Sequence, residues 1–259
     1  MNSHQFQHDS ARLCPKFKWS SCIVLLAALG GCAGVEVDPA PDYDVVQEKV
    51  ATATGSTGLF RPGEEEEVAG LVADLLKDGL TVDESVQISL LNNGDLQALL
   101  YEIGMRRADA VQAGLLSNPT LGALVLFPFD GGSTATEVGL LQNIIEFWQL
   151  SPRKRLAQGQ LERTILEVAH DAAGLAIEAR TAYFHAYSAS MGLTAAQENH
   201  AAARKFLDFT LERQEAGAAT QVDVNAARSQ FLEQENLIRR AQFTASDTKR
   251  DLLLVLGIY

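Results

Sequence analysis

Cysteine is nearly missing from this chain of 259 residues: Cys14, Cys22 and Cys32 are its three, and none follows position 32. The chain after Cys32 can hold neither an internal disulfide nor a cysteine-ligated zinc site. Positive charge is also scarce. Twenty-one Lys and Arg stand against 33 Asp and Glu, a net charge of −12, which argues against a protein that binds nucleic acid by neutralising phosphates. No proline follows Pro152, so nothing of that kind interrupts a helix in the rest of the chain. The patterns HExxH, GxSxG, GxGxxG and the P-loop are all lacking, and an enzyme is not expected. What remains is an ordinary folded composition, 47% hydrophobic and 21% charged, on a chain long enough for one or two domains.

The first 31 residues read as an address. Arg12, Lys16 and Lys18 precede an apolar run, Cys22–Leu29, that is too short for a permanent membrane helix but suits a signal-peptide core. The run ends in Leu29-Gly30-Gly31-Cys32, which resembles a bacterial lipobox. That resemblance implies cleavage before Cys32, a lipoprotein signal peptide over 1–31, and acylation of Cys32. Multiple acyl chains would hold the protein to a membrane, at roughly 0.8 kcal/mol per buried methylene. Ala33 in the following position favours the outer membrane under the lipoprotein sorting rule. An ordinary signal peptide cut nearby is the alternative.

Residues 32–80 are acidic and punctuated by Pro39, Pro41, Gly55, Gly58, Pro62 and Gly63. They read as a tether with one short helix near 66–77. The run Glu64–Glu67 is taken as a solvated face. From position 81 the pattern changes. Thr81 and Glu84 form a capping box, and a single helix is expected over 82–117, ending at Asn118-Pro119.

Residues 120–149 then read as a β-hairpin. Thr120–Phe129 carries no charge, Thr136–Gln149 is rich in β-branched and aromatic residues, and Asp130-Gly131-Gly132-Ser133 is a turn signal. Each arm is about ten residues, enough to cross a bilayer as a tilted barrel strand. Taken alone, the hairpin fits a soluble sheet equally well. Ser151 and Pro152 suit the start of a helix running over 152–216, about 100 Å long.

The inward face of that helix follows spacings of three and four: Ile165, Val168, Ala172, Leu175, Ala179, Ala182, Ala186, Ala189, Leu193, Ala196, His200, Ala203, Leu207. This is the seam of a left-handed coiled coil, and its alanines require close helix approach. Gly217 starts a tip turn over 217–221, and Thr220 with Asp223 caps a return helix over 222–255. The seam of the return helix runs from Ala227 through Phe231 and Ile238 to Val255. Residues 81–259 thus form one unit of mainly α class: long antiparallel coiled-coil hairpins with an inserted strand pair.

Chemistry is sparse. His170, His185 and His200 lie on the long helix about 22 Å apart in succession, too far for one metal ion, so no metal site and no cofactor are expected. Glu212 and Glu215 read as solvated charge.

This order of elements resembles the TolC-like outer-membrane efflux family, as one repeat of an outer membrane factor lipoprotein. The carriers are LTVDESVQISLLNNGDLQALLYEIGMRRADAVQAGLLSNP, the hairpin followed by Pro152-Arg153-Lys154-Arg155, ERQEAGAATQVDVNAARSQF at the turn, and the ending LLLVLGIY. The resemblance implies a channel-tunnel: a homo-oligomer, trimeric in the family, with a strand barrel in outer-membrane lipid and helices reaching into the periplasm. It implies a passive exit duct served by an inner-membrane pump through a periplasmic adaptor. The adaptor-facing pattern of the family maps onto Arg213, Gly217, Thr220 and Asp223, with Ala227 following. The same residues also suffice simply to build a helical hairpin.

Family members carry two such repeats, and one is present here. A truncated reading frame, a half-length protein assembling as six copies, and a degenerate fragment without channel function all fit. Two rivals stand beside the channel: an envelope lipoprotein with a scaffolding coiled coil, and a periplasmic adaptor. The latter would need flanking strand-rich domains that cannot be read in this sequence.

Overall fold

A computed structural model describes residues 37–77, 79–127 and 134–258. Cys32, the leader and the turn Asp130–Ser133 lie outside the described residues. The elements are α1 (Ala40–Thr54), α2 (Glu65–Leu75), α3 (Val82–Asn92), α4 (Gly94–Ala113), β1 (Thr120–Leu126), β2 (Ala135–Leu141), α5 (Glu146–Glu215) and α6 (Gln221–Val255). The architecture is long antiparallel helices with a small inserted antiparallel strand pair, as the sequence pattern requires.

The acidic segment over 32–80 is not a tether where it is described. Tyr43, Val46 and Val50 sit at three- and four-residue spacing on α1, and Val68 and Val72 do so on α2; all five are buried in the common core with Leu59 and Phe60. Apart from Asp42, the charge of the segment lies on exposed or half-buried positions, so its mean composition hides an amphipathic stripe. Glu65, Glu66 and Glu67 occupy the first turn of α2, where negative charge meets the positive end of the helix dipole. Asp42 is buried and accepts bidentate hydrogen bonds from Arg107 of α4, with Nε at 2.6 Å.

The expected single helix over 82–117 is two helices. Thr81 and Glu84 form the reciprocal capping box that opens α3. At Asn93 the backbone leaves the helical region (ψ 120°), and the Asn93 side chain accepts from the N–H groups of Asp95 and Leu96 to open α4. An asparagine directly before a glycine offers the chain a new cap inside an apolar stretch that otherwise reads as continuous. The amide groups of Asn92 and Asn93 donate to the carbonyls of Val255, Leu256 and Gly257 at 2.9–3.1 Å, clipping the end of α6 to this break. Helix α4 stops at Ala113, before Asn118-Pro119, with Gly114 as its cap.

Each hairpin arm pairs over seven residues rather than ten, in the register Thr120↔Leu141 through Leu126↔Ala135. The second arm ends early because Asn143 accepts the Ile145 N–H in a local turn and the chain becomes helical at Glu146. Trp148 and Glu146, expected in the strand, are therefore helical. The long helix correspondingly starts six residues before Pro152, which lies within its second turn at an exposed end.

Helix α5 holds 70 residues, about 105 Å of rise. Every position of its sequence-derived seam is buried or half-buried. Ala172 and Ala179 are fully buried, which fits the close helix approach that alanine permits. His200 belongs to this seam, its ring 5.1 Å from that of Phe231 on α6.

Candidate functional site

Three places on the described chain combine exposure with defined geometry, and they follow one another along α5: the strand pair, its junction with the helices, and the distal turn.

The strand pair packs on nothing among the described residues. All fourteen of its residues are exposed, including Leu121, Val138, Leu140 and Leu141. The sheet has two strands, so each strand also presents an unpaired outer edge. Cross-strand partners share a face. One face carries Leu121/Leu140, Ala123/Val138 and Val125/Thr136; the other carries Thr120/Leu141, Gly122/Gly139, Leu124/Glu137 and Leu126/Ala135. An apolar pair with open edges and no core beneath it is stable only when something else covers it.

At the junction, Arg153 donates to the carbonyls of Ala113 (3.0 Å) and Leu115 (2.6 Å), which places a cation at the negative end of α4. Glu146 accepts from the Ser117 N–H at 2.9 Å, and Gln142 donates to the Ser117 carbonyl. The hydrogen bonds that Glu146 accepts from Ser117, aided by the nearby Arg153 charge, hold its carboxyl below its ordinary value. Ile144, Ile145, Phe147 and Trp148 project outward beside this latch. The sequence pattern singled out Arg153 only as part of a basic run; its capping role depends on the helix end that tertiary folding brings to it.

At the distal turn, Arg213, Gly217, Thr220 and Asp223 come together. Gly217 has φ +74°, and the Ala218 N–H donates to the Arg213 carbonyl, the closure of a Schellman turn. The Arg213 guanidinium crosses the turn to the Ala218 carbonyl at 2.9 Å. Asp223 accepts from both the N–H and the hydroxyl of Thr220 at 2.7 Å, and its own N–H donates to Thr220 Oγ1. These bonds from Thr220, then the charge of Arg213, lower the Asp223 carboxyl from its usual value. Ala227 is buried one turn further along α6, beneath this surface. Val222, three-quarters exposed, stands beside the capping pair as an apolar feature that the sequence reading did not single out.

Among the described residues no cluster of His, Cys, Asp and Glu is arranged to hold a metal ion. His170 and His185 are exposed on α5. No described helix is long and apolar enough to cross a membrane.

A rod of paired helices bearing an uncovered strand pair at one end defines a class of protein by its fold: long antiparallel helices with an inserted antiparallel strand pair. The outer membrane efflux protein family matches residues 85–257, about two-thirds of the chain, and this chain belongs to it. No curated protein matches it. Among solved structures it is similar to a membrane protein from Pseudomonas aeruginosa, at 20% identity and a TM-score of 0.57, over 68% of this chain and 44% of that one. It is also similar to CusC, described by its conformational changes in folding and transmembrane channel formation, at 18% identity and a TM-score of 0.58, over 69% and 44%. The chain thus spans less than half the length of these two solved chains.

Proposed function

We propose that this chain is a channel component of the outer membrane, one stave of a passive efflux duct closed with further repeats of the same kind. The observation that carries the proposal is the strand pair, uncovered by any described residue on both faces and both edges, fused to a helix about 105 Å long. In a bilayer every backbone polar group must be paired, so open strand edges are satisfied only by closing into a barrel. Phe147 and Trp148 stand at the base of the strands, where barrels carry an aromatic girdle.

The helices support the same closure. Five residues along from the seam positions Ala172 and Ala179, both buried, and Ala186, half-buried, stand Ile177, Phe184 and Met191, all more than half exposed. Five residues turn a helix by about 140° to 154° net, the corner angle of a ring of about nine to fourteen helices. A second apolar stripe at that angle fits a neighbouring helix of another repeat. Each repeat supplies two strands, so three chains of two repeats, or six chains of one, would each supply twelve.

In this reading the helices extend into the periplasm, and the distal turn meets a periplasmic adaptor that couples the duct to an inner-membrane pump. Arg213, Gly217, Thr220 and Asp223 present the surface, and acylated Cys32 anchors the chain to outer-membrane lipid. The duct transfers cargo without chemistry of its own.

Fractionation of cell envelopes tests the core of the proposal. The protein sediments with the outer membrane, migrates differently on gels before and after boiling, and forms discrete conductance steps in planar lipid bilayers. Recovery as a monomer with no heat-dependent migration and no conductance overturns it in favour of a scaffolding lipoprotein.

A further inference from the structure

Glu137 is the sole charged side chain in either strand, and the register places it on a defined face. It lies opposite Leu124, on the face that also holds the Gly122/Gly139 pair. The reverse face presents Leu121, Ala123, Val125, Val138 and Leu140, with the hydroxyl of Thr136 as its only polar group. If the strands sit in a barrel, one of these faces meets lipid and the other meets water. A charge facing lipid is disfavoured, most at mid-membrane and less toward the rims, whereas one facing a water-filled bore is tolerated. The facing glycines leave open space beside Glu137: a side chain added at Gly139 would meet nothing within 4 Å.

Resting on the channel reading, we propose that Glu137 faces the bore of the assembled barrel and sets a preference for cations there. One carboxylate per copy of this chain, all at the same height, forms a ring of negative charge, and such rings concentrate cations and repel anions. Glu137 is two residue pairs from the last pair before the hairpin turn, Leu126↔Ala135, which puts the ring toward the mouth remote from the helices. The cargo this favours at that mouth is cationic or neutral.

The test uses the full chain reconstituted in phosphatidylcholine–phosphatidylglycerol vesicles. Single variants Glu137→Cys, Val138→Cys, Gly139→Cys and Leu140→Cys are treated with a water-soluble trimethylammonium methanethiosulfonate, with rates read above the unsubstituted chain. Positions 137 and 139 react at least about tenfold faster than 138 and 140. The reverse alternation overturns this assignment and leaves the barrel reading standing. Equal fast reaction at all four positions shows strands outside the bilayer and removes both, and failure of all four to react overturns the bore assignment. In planar bilayers under a potassium chloride gradient, Glu137→Gln lowers the cation-to-anion permeability ratio at least twofold. An unchanged ratio overturns the selectivity role.

Discussion

A methyl group on residue 257 would overlap the carbonyl oxygen of Asn92, and the backbone there has φ +70°. Gly257 is therefore required twice, for its conformation and for its lack of a side chain. Gly257→Ala should destabilise the chain by more than about 1 kcal/mol, while Gly70→Ala, at an exposed position of α2 with nothing near its Cβ, should be neutral or stabilise by up to about 1 kcal/mol. Thermal unfolding followed by circular dichroism separates the two. The distal turn yields a pH prediction. The Asp223 carboxyl is lowered in the folded state, so its stabilisation is complete above the pKa of a free carboxylate and fades as pH falls through the lowered native value. Proteolytic nicking near residue 217 should rise on acidification across that range. In Asp223→Asn it should be faster at neutral pH and flat with pH. The capping residues Thr81, Glu84, Thr220 and Asp223 were legible in sequence because a cap is local chemistry with fixed spacing. The clip between Asn92, Asn93 and the end of α6 was not, since its partners lie more than 160 residues apart.

Among the elements, α1 tests how far composition misleads. Its acidic residues suggest a solvated strap, yet Asp42 pairs with Arg107 and Val46 is fully buried. Asp42→Ala should cost about 2 kcal/mol, because it leaves Arg107 short of two charge-assisted hydrogen bonds at a partly buried site. The segment before Gly55 should then become the first site of limited proteolysis, and retained resistance would show that the apolar contacts of Tyr43, Val46 and Val50 suffice alone. Periodicity served better than composition on α5 and α6, where three-four spacing marked the seam that the structure buries or half-buries. Strand length was overread for a comparable reason. Asn143 ends the ladder with one side-chain hydrogen bond, and neither hydropathy nor β-propensity registers it.

At the scale of the whole molecule, stability of the isolated chain and closure of the assembly are separable. Ile177, Phe184 and Met191 are exposed on α5 and contribute little to the fold of one chain. Phe184→Glu should leave helical content unchanged while lowering the mass of the detergent-extracted assembly and abolishing its heat-modifiable migration. Native mass measurement checks this, and an intact oligomer would show that the second stripe is not an interface.

Two things followed from the sequence alone: the long antiparallel rods with their tip turn, and the hairpin, uncharged in its first arm, set between helices. Both arise from short-range rules, a three-four repeat and local caps and turns, which act before distant residues meet. Tertiary structure decided the rest. The acidic N-terminal segment joined the core, the first helix split at Asn93, Arg153 found the end of α4, and the strand register assigned Glu137 its face. Each depends on which surfaces and helix ends come together across long stretches of chain, and residue spacing carries no record of that.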